Sequence, residues 1–328
     1  MHPNVLAVCC ARETGERFPG KCLETIGTLP VLAHIFARLE QTESVRQVVL
    51  AIPDGQGQNR LRHLAVEFGI PVIAGPEHDV VARMDIAVKR HAREDDLVFR
   101  VMTDQPFLDW NALDTATGVM IGHKWDFVLP LTFNEDPVYG GGIHPWSLRA
   151  WQAIAQQSRN DELEHPGMWL RRNLAKWQYG LADLAHWMYR PYRLELDMPQ
   201  DLELFRVIHA AWTGETPPPL RWVVRFLDRN PSVAAMNASV HEKTGTYTSF
   251  SRAEIDAWYR DYAEREIVWS EVGMSGSMEL KTEGGRKAFR CGECGGAMMA
   301  LSITSKNDLL TRCIRCHETR VFYSARSK

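Results

Sequence analysis

Residues 5–21, VLAVCCARETGERFPGK, constrain this chain more than any other stretch. Val5 to Cys10 form a short, continuous apolar run of β-compatible residues with no polar alternation. Such a strand is buried on both faces, the environment of an inner strand in a parallel sheet covered by helices. The chemistry then changes abruptly. Arg12, Arg17 and Lys21 fall within ten residues, Gly15 and Gly20 free the backbone for close approach, and Pro19 stiffens the turn. Clustered cations with open backbone amides suit a triphosphate.

The chain then alternates. Apolar residues recur at helical spacing over 30–41 and 58–68, and apolar runs at 47–52 and 71–74 read as strands. A β-α-β-α-β series of this kind predicts a parallel sheet with right-handed crossovers, whose ligands bind beyond the carboxyl ends of the strands. Further strands are expected at 97–102, 126–131 and 192–197, and helices at 110–123, 145–157 and from Pro199 onward. The 97–102 strand runs into Thr103-Asp104-Gln105-Pro106. A carboxylate at that place suits Mg²⁺, which takes oxygen ligands and bridges one or two carboxylates to substrate phosphates.

Taken together, residues 12–21 resemble the R-x-G-S-T-R-L-P-G-K signature of cytidylyltransferases that make CMP-activated acidic sugars and related spore-coat polysaccharide precursors. The cations and the Pro-Gly-Lys keep its spacing, while Glu13, Thr14, Gly15 and Glu16 depart from it. The resemblance extends over about residues 5–208. It includes Gly75-x-x-x-Asp79-Val80-Val81-x-Arg83, Arg100 to Pro106, Glu164-His165 and Asp197-x-Pro-x-Asp-Leu-Glu. It implies a Rossmann-like α/β nucleotide-diphospho-sugar transferase fold, of the GT-A-like kind, with a mostly parallel sheet. It also implies a nucleotide site of Ala11, Arg12, Gly15, Arg17, Gly20, Lys21, Asp79, Arg83 and Arg100. Asp104 and Asp197 become a Mg²⁺ pair, and Gly141, Gly142, Glu164 and His165 become sugar contacts. On the residues alone, Asp79 reads equally well as a helix cap, Arg83 as a solvated helix residue and His165 as an exposed histidine.

Residues 1–212 are expected to form the nucleotidyltransferase domain. Pro217-Pro218-Pro219 mark a boundary, followed by a helical extension to about residue 280 with helices at 221–229 and 251–266. The carboxyl end, 281–328, carries Cys291-x-x-Cys294 and Cys313-x-x-Cys316, the spacing of a closed four-thiolate Zn²⁺ ribbon with β arms at 298–304 and 319–323. It holds ten Lys or Arg against four Asp or Glu, a local +6 that leaves −9 for the rest. Nucleic acid is compatible with that charge, but a stabilising module is favoured, because small ribbons fold only around their metal.

An ordinary 45% hydrophobic composition, a formal charge of −3 and seven cysteines argue against a membrane protein, a nucleic-acid field over the whole chain and a secreted disulfide framework. With no leader-like amino terminus, the expected location is cytoplasmic. The expected reaction is Mg²⁺-dependent transfer of CMP from CTP to a sugar or sugar acid, by a homodimer if the resemblance extends to assembly. A nucleotide-sugar glycosyltransferase would usually present Asp-x-Asp, which Asp104-Gln105-Pro106 does not supply. A nucleic-acid adaptor would leave the Arg12/Arg17/Lys21 loop and both aspartates without a task.

Overall fold

The computed structural model describes residues 5–14, 17–130, 145–173, 176–182, 190 and 192–240, and the backbone of strands within 281–322. A seven-stranded sheet forms its centre. The chain enters through β1 (Val5–Cys10), makes a small hairpin from β2 (Thr25–Ile26) and β3 (Leu29–Pro30), and continues into α1 (Val31–Leu39). Next come β4 (Val45–Pro53), α2 (Asn59–Glu67), β5 (Val72–Gly75), α3 (Val80–His91), β6 (Leu97–Met102) and α4 (Trp110–His123). After β7 (Phe127–Pro130) follow β8 (Pro145–Ser147), α5 (Leu148–Gln157), α6 (Met168–Arg172), β9 (Tyr179–Ala182), α7 (Pro199–Ala211), α8 (Leu220–Arg229) and α9 (Pro231–Ala234).

The strand order is β5-β4-β1-β6-β8-β7-β9. Strands β5, β4, β1 and β6 are parallel, β8 runs antiparallel to both its neighbours, and β7 and β9 are again parallel. The expected mostly parallel α/β sheet is therefore present. Strand β1 sits at its middle, and its residues alternate between two cores. Val5, Ala7 and Cys9 join the helices α1, α2, α4, α7 and α8, while Leu6 and Val8 join α3 and α5. Both faces are dry, which explains why the run is apolar at every position.

Two expectations change. Pro145–Ser147 is a strand rather than the start of a helix, and Ser147 then caps α5 through its hydroxyl, 3.1 Å from the Ala150 amide. Residues 192–197 form no strand of the seven-stranded sheet; Arg193 makes an isolated β-bridge, and the Leu196 amide bonds to the Asp104 carbonyl at 2.7 Å. Five further strands, β10 (Lys281–Glu283), β11 (Arg286–Arg290), β12 (Ala297–Ile303), β13 (Leu309–Cys313) and β14 (Thr319–Phe322), form an antiparallel meander. Both expected β arms fall on strands of it. Cys291, Cys294 and Cys316 lie outside the described residues, as does the side chain of Cys313. The helix expected at 251–266 also lies outside them.

Beneath the α1–α7 contact, the rings of His34 and His209 lie 4.4 Å apart. His209 Nε2 is buried with no partner, and burial, then His34 and Arg38, push this histidine from its ordinary 6.5 down to about 3. The unfolded chain therefore binds a proton near pH 6.5 that the folded chain refuses until about pH 3. Across that window stability rises with pH and is lost as pH falls. His209→Phe removes no hydrogen bond to Nε2 and keeps a ring against Phe107. It should match the wild type at pH 8 and exceed it by about 2 kcal/mol at pH 5 in urea unfolding. Equal stabilities at both pH values would refute this account.

Candidate active site

The carboxyl ends of β1 and β6 open together, and the site is assembled on them. Ala11 continues β1, its amide bonded to the Ala51 carbonyl at 3.2 Å. Thr103, just past β6, ties the two strand ends together by donating its hydroxyl to the Cys10 carbonyl at 3.0 Å. The loop after β1 is braced by two of the residues that depart from the signature. Glu13 accepts from the amides of Arg60 and Leu61 at 3.0 and 3.4 Å, in the first turn of α2, and Thr14 donates to Glu77 at 2.9 Å. A carboxylate at a helix amino terminus meets free amides and a favourable dipole, so Glu13 anchors the loop to α2. The loop closes at Gly20, whose φ of 68° favours glycine, immediately before Lys21.

Lys21 reaches across the site. Its ammonium lies 2.8 Å from Asp104 Oδ2 and 2.8 Å from Asp197 Oδ1, joining two carboxylates that are 93 positions apart in the chain. Burial alone would lower the Lys21 ammonium, but Asp104 and then Asp197 outweigh it and raise its affinity for the proton. Asp197 is opposed by burial and nevertheless held low by Lys21, Arg193 and Arg17. Arg17 faces it with both terminal nitrogens at 3.0 Å, and Arg193 adds a contact at 2.8 Å. Arg17 and Lys21, expected at the triphosphate, here neutralise the carboxylate pair.

The remaining expected residues divide. Arg12 lies 3.9 Å from Glu164, and both are well exposed, so the pair is screened by solvent. His165 is exposed and its ring makes no hydrogen bond to a described residue. Asp79 caps α3, accepting from the Ala82 amide at 2.7 Å. Arg83 is buried, not solvated, and donates to the Pro76 and Glu77 carbonyls at 2.8 and 3.0 Å. Its backbone passes so close to Gly75 that a Cβ there would sit 3.1 Å from the Arg83 Cα. Arg83 and the half-buried Arg100 both approach Cys10, whose thiol burial raises while the two guanidiniums pull it down. Gly15, Gly141 and Gly142 lie outside the described residues.

Glu195 escaped the sequence reading, whereas Asp201 takes the helix-terminal place that an acid in the first turn of α7 suggests. Glu195 is buried and pushed up to about 8 by burial, then by Asp104 and Asp197. Asp201, fully buried, accepts from the amides of Asp197 and Met198 at 2.9 and 2.8 Å. The alternation Arg193-Leu194-Glu195-Leu196-Asp197 was the available signal: its leucines are in the core, which turns the charged residues the other way.

The carboxylates fit Mg²⁺. Asp104 Oδ1 is buried without a partner, and Asp104 Oδ2 and Asp197 Oδ1 already converge on one cation. Among the described residues no group of three or more His, Cys, Asp or Glu side chains is arranged for a metal. A pair of hard oxygen donors is nonetheless the usual protein share of a Mg²⁺ site whose other ligands are phosphate and water. No helix among the described residues is long and apolar enough to cross a membrane.

Comparison with known proteins points to one family. Residues 6–118 match the family model described as cytidylyltransferase. The spore coat polysaccharide biosynthesis protein SpsF of Bacillus subtilis is 24% identical over 239 residues, covering 70% of this chain and 97% of that protein. A 3-deoxy-manno-octulosonate cytidylyltransferase of Leptospira biflexa is 27% identical over 142 residues, covering 42% of this chain and 56% of the enzyme, so the match spans about half of that relative. A solved cytidylyltransferase from Leptospira borgpetersenii shares the fold at a TM-score of 0.66 and 19% identity, covering 74% of this chain and all of that one. The segment that carries the Arg12-to-Lys21 loop and Asp104 is thus the part of this chain that is similar to the cytidylyltransferase family.

Proposed function

We propose that the chain transfers the CMP group of CTP to an oxygen of a sugar or sugar acid and releases pyrophosphate. The observation that carries this reading is the junction at Lys21, where the basic loop and the two carboxylates meet at 2.8 Å contacts. The names of its relatives favour CTP and an acidic sugar. The acceptor oxygen attacks the α-phosphorus, an O–P bond forms, and the bond from that phosphorus to the bridging oxygen breaks. Pyrophosphate leaves with the electron pair, and the proton of a hydroxyl acceptor passes to solvent.

The chain's own task is positioning and charge neutralisation. Arg12, Arg17 and Lys21 hold the triphosphate and offset the charge on the leaving group. In doing so Arg17 and Lys21 exchange carboxylate for phosphate partners, which frees Asp104 and Asp197. Asp104 and Asp197 would hold Mg²⁺, which when bound would supply Lewis-acid polarisation of the phosphate. In the same reading Cys291, Cys294, Cys313 and Cys316 hold one structural Zn²⁺, to be checked by elemental analysis of the wild type and of Cys291→Ser.

The deciding experiment is pyrophosphate release with each of the four nucleoside triphosphates and Mg²⁺ against a panel of acidic and neutral sugars. Turnover with CTP and an acidic sugar is expected. Turnover confined to another nucleotide, or hydrolysis of a nucleotide sugar in place of pyrophosphate release, would overturn the reading.

A further inference from the structure

The helices beyond residue 212 contribute none of the residues assigned to the chemistry, yet the segment that follows them ends against the site. Asn237 is the one buried residue of the stretch 231–240. Its carboxamide donates to Asp201 Oδ1 at 2.8 Å and to the Arg193 carbonyl at 3.1 Å. Asp201 in turn holds the Asp197 and Met198 amides through its other oxygen, and accepts from Arg193 Nε at 3.3 Å. Arg193 completes the circuit at Asp197 Oδ2, 2.8 Å away. Asn237 therefore stands one residue removed from Asp197 by two routes, from its backbone amide through Asp201 and from its carboxylate through Arg193, whose carbonyl Asn237 holds and whose guanidinium meets Asp197. A second tie runs in parallel, since Asp228 of α8 accepts from Arg190 at 3.0 Å and from the Tyr192 hydroxyl at 2.8 Å.

We propose that Asn237 is a positioning residue for the active site, fixing Asp201 and Arg193 so that the Asp197 carboxylate is held toward Asp104 in the orientation a divalent cation needs. The inference rests on reading Asp104 and Asp197 as the cation-binding pair. Its physical basis is the cost of leaving a buried acceptor short of donors. Asp201 is fully buried, and without the Asn237 amide it turns to recover a partner. Arg193 follows Asp201, and Asp197 loses one of the three cations that orient its carboxylate. Residues that orient metal-binding carboxylates commonly change metal affinity by about 10- to 100-fold when removed.

The test compares the full-length wild type, Asn237→Ala and Val224→Ala. Val224 is fully buried in α8 and has no part in the hydrogen-bond circuit, so it reports what loosening the extension does by itself. Mn²⁺ affinity is measured by electron paramagnetic resonance with and without CTP, alongside steady-state kinetics. Asn237→Ala is expected to bind Mn²⁺ about 10- to 100-fold more weakly and to lose kcat to a similar degree, with KM for CTP changed by less than about threefold. Val224→Ala should keep wild-type Mn²⁺ affinity.

If Asn237→Ala does not fold, Asn237→Ser, whose hydroxyl can reach one of the two acceptors, supplies the same comparison. Mn²⁺ affinity within about twofold of wild type, or an equal loss in Val224→Ala, would overturn the proposal. A wild type that binds Mn²⁺ but turns over no CTP would instead count against the reaction proposed above, and the Mn²⁺ comparison would still decide the role of Asn237.

Discussion

Lys21→Met is expected to reduce pyrophosphate release by about 10³-fold in kcat/KM, the scale on which a buried catalytic cation or donor acts. Methionine keeps the aliphatic stem and volume, so the loss reports the charge. The ammonium is the partner of Asp104 among the described side chains and one of three cations on Asp197. Removing it leaves two carboxylates facing each other, Asp197 buried and Asp104 half-buried, with Arg17 and Arg193 compensating only the first. Like charges so placed repel, and an added divalent cation relieves them. The variant should therefore gain more thermal stability from added Mg²⁺ than the wild type does, while remaining inactive. Wild-type turnover in Lys21→Met, or an equal Mg²⁺ effect on both proteins, would show that the lysine does not serve this site.

Arg38→Met is expected to destabilise the protein by about 3–5 kcal/mol in urea unfolding, because it strips partners from buried groups in two separate segments. Arg38 is fully buried and donates to the Leu108 carbonyl at 3.2 Å and to the Pro218 carbonyl at 2.5 Å. Its guanidinium also lies over the rings of Phe107 and Trp110, at 5.4 and 5.2 Å. Burial lowers its hold on the proton, and Asp109 opposes that effect. One side chain thus fastens α1 to the loop that leaves β6 beside Asp104 and to the entry of α8. Lysine has one point charge in place of a planar fork and cannot serve both carbonyls, so Arg38→Lys should recover less than half of the loss. A cost under about 1 kcal/mol for Arg38→Met would mean that the carbonyls find other donors.

The difference between these two residues shows what can be read from a sequence. Lys21 announced itself, since it stands in a short loop of cations and glycines immediately after an apolar strand. Arg38 sits in a helical pattern with nothing to mark it, and its acceptor Pro218 is 180 positions away. The same holds for Arg83, which reads as a surface helix residue until the loop carbonyls of Pro76 and Glu77 are seen wrapped around it. The apolar run at 97–102 gave β6 correctly, whereas the short β8 was absorbed into the helix after it, because three residues carry too little periodicity to separate from a helix start.

By itself the sequence determined the alternating α/β elements, the buried central strand, the basic loop and the aspartate at the end of the 97–102 strand. These are properties of short windows, where side-chain period and turn chemistry act on neighbouring residues. Only the tertiary structure decided that Lys21 would bridge Asp104 and Asp197, that residues 192–197 would stay out of the sheet, and that Leu220, Val223, Val224 and Leu227 would enter the same core as the sheet. It also decided that Asn237 would reach Asp201. Those contacts join residues far apart in sequence, and they form where packing leaves a buried polar group with one donor in range, a condition that no local pattern encodes.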